Sequence, residues 1–576
     1  MTTFAFETIT AAEALAFTAA DFLTFASGTA TGLTVAFVPA TGADPDRVQV
    51  TLGSRTVTFN QAPLAAASQA DQIGFPNGSA LIVGSTNNDT AATSGGLTGD
   101  AVFGGVGNDT VTAANGNNLI QGNQGSDNLT AGAGNDTIYG GQDSDTIATG
   151  AGNNFVNGNK GADSITGGAA ADTLLGGQEN DTINGGGGND FLNGNLGDDS
   201  LVAGAGNDTV LGEAGNDTLL DSGGANSIDG GVGDDSIGAT GTGTVMGGDG
   251  SDTITVNGAA SVQGNQGEDT ITGDAAAQTI TGGQDADRII AGLGADNVNG
   301  NLGDDVIVGD ESAGADVAGG ADTLLGEDGQ DTIVGGGGGD NINGGVGDDV
   351  IYGDNLAADG TVSGNDSISG GDGSDNIDAG SGNNNVDGGV GADLINAWSG
   401  ADTILGGDGD DTINTRDGND SVSGGQDDDS INAGAGTDTV SGDAGDDTIT
   451  GGAANDRLSG GAGADQFVFA NGDSGTVAGS LDIITDWQGG LDKLDFAIAG
   501  PAVGGTDYDE YTEASFTDAY NRATTEMTTN GENYVVVQVG TDVLVFVDNG
   551  NNNGTPEDVI VLQGRTLNDI AYTDFL

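Results

Sequence analysis

Aspartate recurs in this chain at one fixed place. From Gly104 onward a nonapeptide repeats, G-G-x-G-x-D-x-U-x with U a large aliphatic. Gly104-Gly105-Val106-Gly107-Asn108-Asp109-Thr110-Val111-Thr112 is one copy, and there are about 40 in tandem. Carboxylates at a regular interval, set among glycine turns whose carbonyls can also face a ligand, form the donor set of a hard divalent cation. Calcium takes six to eight such oxygens at about 2.3–2.6 Å. Alternate copies fall on opposite edges of a coil, so the copies sort into two rows. The first row keeps its sixth-place acid in all 20 copies: Asp109, Asp127, Asp145, Asp163, Asp181, Asp199, Asp217, Asp235, Asp252, Asp269, Asp287, Asp305, Asp331, Asp349, Asp375, Asp393, Asp411, Asp429, Asp447 and Asp465. The second row keeps it in 12 of 19 copies, among them Asp172, Asp190, Asp208, Asp296, Asp322, Asp340, Asp366, Asp402, Asp420, Asp438 and Asp456. Asn118, Asn154, Asn226, Gly243, Ala260, Gln278 and Asn384 take its place in the others.

A calcium ion between each adjacent first-row pair gives about 19 sites, and adjacent acids of the second row add roughly eight. Some 25 ions would offset on the order of 50 of the 79 formal negative charges. Without them, stacked carboxylates repel and the repeats are predicted to unfold. Aspartate as a plain turn former explains its place in turns. It does not explain a row that never loses its carboxylate.

The elements that position these acids follow from the same spacing. Six glycine-rich residues turn sharply, because glycine accepts positive φ. The last three form a short strand whose central aliphatic points inward. Stepping by nine puts that aliphatic at Val111, Ile120, Leu129, Ile138, Ile147, Val156, Ile165, Leu174, Ile183, Leu192, Leu201, Val210 and Leu219 without a slip. Two copies make an 18-residue coil, and coils stack through parallel strands about 4.8 Å apart. One coil buries little, so only a stack builds a core. The expected fold is all-β: a long parallel β-roll, or β-solenoid, over 104–468 with two nonapeptides per coil. A small β-rich module for anchoring or assembly precedes it at 1–95, and a β-rich cap follows at 469–576. The N-terminal module holds a short helix at Ala11–Ala20, alternating segments at Leu33–Val38, Val48–Leu52 and Val57–Phe59, and an apolar run at Ala80–Val83. Irregularities fall in the second row: shortened copies at 239–246 and 256–263, and insertions within Gly309–Gly320 and Gly353–Gly364. The first-row loops also repeat in blocks of six coils, as Gly194-Asn195-Leu196 and Gly300-Asn301-Leu302 illustrate. Such blocks fit a repeated lateral face and fit simple duplication equally well.

Composition narrows the function. With 88 Asp and Glu against nine Lys and Arg, the surface is a poor partner for nucleic acid and is repelled by anionic membranes. No run of 18 apolar residues spans a membrane, and Met1–Glu7 lacks the basic start of a Sec-type signal. The absence of histidine and cysteine excludes an H-E-x-x-H zinc site, a Ser-His-Asp triad and thiolate metal sites. Paired carboxylates suffice for glycoside hydrolysis, but their row-wise order fits calcium better, so no enzyme is expected.

The nonapeptide resembles the RTX (repeats-in-toxin) family over about two thirds of the chain. The resemblance implies a parallel β-roll, calcium-dependent folding outside the cell and export by type I secretion machinery, with sixth-place Asp and turn carbonyls holding the ions. Asp482-Ile483-Ile484-Thr485-Asp486-Trp487 and Asp492-Lys493-Leu494-Asp495-Phe496 are similar to the post-repeat strands of serralysin-type proteins. Tyr534–Val539 and Val543–Val547 read as a hairpin around Gly540-Thr541-Asp542, and Asp569–Leu576 resembles an uncleaved type I export signal. The acidic loop Asp548–Asp558 lacks EF-hand spacing and reads as a solvated turn. With repeats as nearly the whole molecule, the chain resembles the RTX-type surface-layer and biofilm-matrix proteins of Gram-negative bacteria. The expected role is a secreted or cell-surface, calcium-binding structural protein that self-assembles, with cell-surface polysaccharide as a further partner. The alternative is a calcium-dependent adhesin, whose binding loops would be the two insertions; a secreted enzyme ranks below both.

Overall fold

The computed structural model describes residues 2–576 except 18–21, 26–28, 39–46, 70–72, 76–78, 86, 94–98, 311–318, 355–363, 497–507, 531–532 and 549–553. The protein is all-β with 7% helix, a parallel β-solenoid of about 23 turns. It divides into two compact units, Met1–Ile271 and Thr272–Leu576. Residues 311–318 and 355–363 of the two insertions, 549–553 of the acidic loop and 18–20 of the expected first helix lie outside the described residues.

In the first unit, Leu33–Val38, Arg47–Leu52 and Arg55–Asn60 form an antiparallel meander, with Val35 opposite Val50 and Val50 opposite Val57. The first helix covers only Ala11–Leu15, shorter than the sequence reading: Thr10 and Glu13 close a capping box, and Ala16 ends it. Phe25 stacks on Phe75 at 4.4 Å, and these rings share one apolar cluster with Leu81, Val83 and Phe103. Leu81–Val83 and Thr90–Ala92, which the sequence pattern groups with the N-terminal module, pair in parallel with Ala101–Val106 and Thr110–Thr112. Two nonapeptide edges are thus already in the stack before Gly104. The helix Gln61–Gln69 covers the outer edge, where Val83 N–H donates to the buried Ser68 Oγ at 2.9 Å.

Coils stack in register. In one sheet Val111 pairs with Leu129 and Leu129 with Ile147; in the other Ile120 pairs with Ile138 and Ile138 with Val156. These inward aliphatics are all buried. The two sheets differ where the nonapeptide predicts equal short strands. Strands after first-row turns are mostly three residues, such as Thr110–Thr112, but those after second-row turns usually run six, such as Leu119–Gln124. They continue through the first three places of the following first-row copy, as Gly122, Asn123 and Gln124 do in Leu119–Gln124, although Asn123 has a φ of 82°.

The second unit repeats this architecture from Thr279–Gln284 to Gln466–Phe469. Its cap extends both sheets: Asp482–Ile484 pairs with the strand at Arg457–Ala462, and Lys493–Phe496 with Gln466–Phe469. Tyr534–Val539 and Asp542–Val547 form the expected hairpin, and the helix Phe516–Asn530 packs on it. Trp487 is fully buried, and its indole N–H donates to the Asp569 carbonyl at 2.9 Å.

Candidate metal-binding ladders

Each sixth-place aspartate divides its two oxygens between two tasks. Oδ1 accepts the backbone N–H of the sixth residue one coil earlier: Asp127 Oδ1 from Asp109 at 2.7 Å, Asp145 Oδ1 from Asp127 at 2.8 Å, Asp163 Oδ1 from Asp145 at 2.7 Å. The bond survives the irregular copies. Asp252 serves Asp235 across a shortened copy 17 residues away, and Asp322 serves Asp296 across an insertion 26 residues away. Register therefore holds where spacing does not.

Oδ2 has no such partner. In the first-row aspartates other than Asp269 and Asp287, Oδ2 is buried and no donor among the described residues reaches it. The same is true of Asp190, Asp208, Asp296, Asp322, Asp340, Asp366, Asp402, Asp420, Asp438 and Asp456. A buried carboxylate oxygen without a counter-charge costs several kcal/mol. Asp172 departs from the reading that grouped it with these acids, since Gly168 N–H donates to its Oδ2 at 2.8 Å. Asp136 and Asp482 show the same orphaned oxygen and belong with the ladders. The spacing marks Asp136; Asp482 comes after the regular repeat, so the nonapeptide period does not reach it.

In the first row, space beside Oδ2 is reserved by the first glycine of the copy. A Cβ at Gly122 would lie 2.1 Å from Asp127 Oδ2 and 2.5 Å from the Gly140 carbonyl of the next coil. At Gly158 the corresponding distances are 2.1 Å to Asp163 Oδ2 and 2.6 Å to Gly176 O. Carboxylate and carbonyl oxygens thus converge on a pocket that any side chain would fill. Among the described residues no three carboxylates gather as a metal cluster, so a cation here would take most of its oxygens from backbone carbonyls. The second place of the copy behaves differently. It adopts positive φ and accepts Asn123, Asn159, Glu213 and Asp443, residues whose side chains lie outside the pocket.

A second, exposed ladder runs the other way. The fifth-place side-chain oxygen accepts the N–H of the fifth residue one coil later, as Asn216 N–H to Asp198 Oδ1 at 2.9 Å and Asp446 N–H to Asp428 Oδ1 at 2.7 Å. Its signal in the sequence is the recurrence of Asn, Asp and Ser at that place.

Electrostatics match the geometry. Burial pushes Asp145 up to about 8; the Asp127 N–H pulls it down, and Asp163, Asp127 and Asp143 push it further up. Asp181 rises to about 8 and Asp127 to about 6, again mainly by burial. These carboxyls resist ionisation unless a cation compensates them.

The profile described as RTX calcium-binding nonapeptide repeat matches 16 stretches between residues 94 and 467, most of them overlapping, which together cover more than half of the chain. No curated protein matches. Among solved structures, extracellular lipase LipA from Serratia marcescens aligns at 16% identity over 44% of this chain and 40% of the lipase, with a TM-score of 0.14.

Proposed function

Because the chain belongs to the RTX calcium-binding nonapeptide repeat family, we propose that it is a secreted structural protein whose solenoid folds on calcium outside the cell and assembles into a surface layer, filament or matrix. One observation carries this reading: buried Oδ2 atoms recur without a donor along the repeats, and in the first row each lies beside the glycine that opens its copy. The first-row aspartates, Asp136 and the second-row acids with a free Oδ2 are its calcium ligands, joined by turn carbonyls. The ladder is the body of the protein rather than an accessory to a catalytic domain. Exposed apolar side chains at the third place of first-row copies support lateral contact between molecules: Leu196 and Val232 in the first unit, Leu302, Val346 and Val390 in the second.

Circular dichroism during a calcium titration from EDTA tests the folding step, with a gain of β signal expected by millimolar calcium. Electron microscopy of the calcium-loaded protein tests assembly; particles that stay monomeric at high concentration would refute it.

A calcium-dependent adhesin is the second reading. A polar groove of about 450 Å³ favours it, lined among others by Thr34, Asn117, Gln121, Asn135 and Tyr139, groups suited to sugar hydroxyls. Glycan-array binding that Tyr139→Ala abolishes, with assembly intact, would support this alternative.

A further inference from the structure

Five second-row turns carry an amide in place of the carboxylate: Asn118, Asn154, Asn226, Gln278 and Asn384. In the asparagine turns the amide oxygen takes over the role of Oδ1. It accepts the backbone N–H of Asp100 at 2.9 Å, Asp136 at 2.9 Å, Asp208 at 2.7 Å and Asp366 at 3.0 Å respectively. The register bond is kept, and the nitrogen is left to face the turn.

In every case that nitrogen donates to an oxygen of its own turn. Asn118 Nδ2 reaches the Ala114 carbonyl at 2.8 Å, and Asn154 Nδ2 reaches that of Gly152 at 2.8 Å. Asn384 Nδ2 reaches Ala379 O at 3.2 Å, and Gln278 Nε2 reaches Asp274 Oδ1 at 2.6 Å. Asn226 is the clearest case. Its copy has moved the carboxylate to the first place, as Asp221, and Asn226 Nδ2 donates to Asp221 Oδ2 at 2.5 Å. The first place does not mark these turns: they open on Ala113, Thr149, Asp221, Gly273 and Ala379, but the carboxylate turns of Asp136, Asp208, Asp296, Asp402, Asp420 and Asp438 likewise open on Ala131, Ala203, Ala291, Ala397, Thr415 and Ala433.

An N–H donor aimed at a turn oxygen uses the lone pair that a cation would need, and its positive hydrogen repels the ion. We infer that these five turns close without calcium, the amide group serving as a built-in substitute, and that they divide the second row into separate calcium-binding segments. The sixth place decides which kind of turn a second-row copy makes, since threonine opens both the Asn154 turn and the Asp420 turn. This inference rests on the calcium reading of the carboxylate turns.

Anomalous diffraction from crystals grown in calcium tests it directly. Peaks are expected beside first-row acids such as Asp127 and Asp145, with none within about 3 Å of the Asn118, Asn154 and Asn384 side chains. Peaks at the asparagines as well would overturn the inference and leave the calcium reading standing; a first row without peaks would overturn the calcium reading itself. In solution, native mass spectrometry of the calcium-loaded protein counts ions. Thr149→Gly with Asn154→Asp should add at least one ion per chain, and Gly158→Ala with Asp163→Asn should remove at least one. If either variant keeps the wild-type β signal and an unchanged ion count, the inference fails.

Discussion

Gly122 and Asp127 set the rule at the residue scale. Their interaction requires a glycine for room, not for a turn angle, because a Cβ would sit 2.1 Å from the carboxylate. Gly122→Ala should therefore cost about 1–3 kcal/mol in calcium, read as a lower urea midpoint, and remove at least one ion. Asp127→Asn keeps the oxygen that accepts the Asp109 N–H, so it should lose ion binding while staying folded. Asp127→Ala loses both and should cost a further ~1–3 kcal/mol, since a buried N–H is left without a partner. Acid gives the third residue-scale prediction. In the calcium-free fold Asp127, Asp145 and Asp181 titrate at about 6, 8 and 8, above the ordinary 3.8, because burial opposes their charge. The fold then binds more protons than the unfolded chain between pH 3.8 and about 8, so its stability falls as pH rises through that window. In EDTA, lowering pH from 8 toward 4 should restore β ellipticity, and a signal that stays flat would contradict this assignment. The first-row acids were legible in the sequence because no copy lacks one, even where the spacing shifts to 17 or 26 residues. The division of labour between Oδ1 and Oδ2 was not, since a letter at the sixth place does not say which oxygen faces the next backbone.

At the scale of elements, the inward aliphatics and the edge coverings carry the stability. Ile183 is fully buried between coils, and Ile183→Ala should cost about 2–5 kcal/mol by thermal denaturation in calcium. Ser68→Ala leaves the Val83 N–H of the outermost strand without its acceptor. A loss of about 1–3 kcal/mol is expected, together with faster hydrogen exchange at Leu81–Val83. The sequence revealed the inward positions and the C-terminal hairpin, since both follow from a fixed period of alternation. It did not reveal that one sheet has strands twice as long as the other. That difference depends on whether the first three places of the next copy keep the strand pairing, and the one-letter pattern is the same whether a glycine extends a strand or begins a turn. The place of Leu81–Val83 and Thr90–Ala92 in the stack was hidden for a related reason. Those residues pair as coils do but lack the full nonapeptide signature.

For the whole molecule, the formal charge of −79 separates two ways of opposing repulsion. Sodium chloride screens exposed carboxylates over about 8–10 Å at 0.1–0.15 M, but it does not supply ligands to a buried Oδ2. High salt in EDTA should therefore leave the chain unfolded where micromolar to millimolar calcium folds it; ellipticity under the two conditions decides the point. The first-row ladder also ends in a characteristic way. At its start, Ser85 N–H donates to Asp89 Oδ2 at 2.6 Å; after its last copy, Gln488 N–H donates to Asp492 Oδ2 at 2.5 Å. Asp89 and Asp492 still receive or offer the coil-to-coil backbone bond, but each closes its second oxygen with the amide four residues earlier. The terminal turns are thus complete whatever number of copies lies between them. A chain lengthened or shortened by whole 18-residue coils should therefore keep both end turns and still fold on calcium, without new ends having to be built.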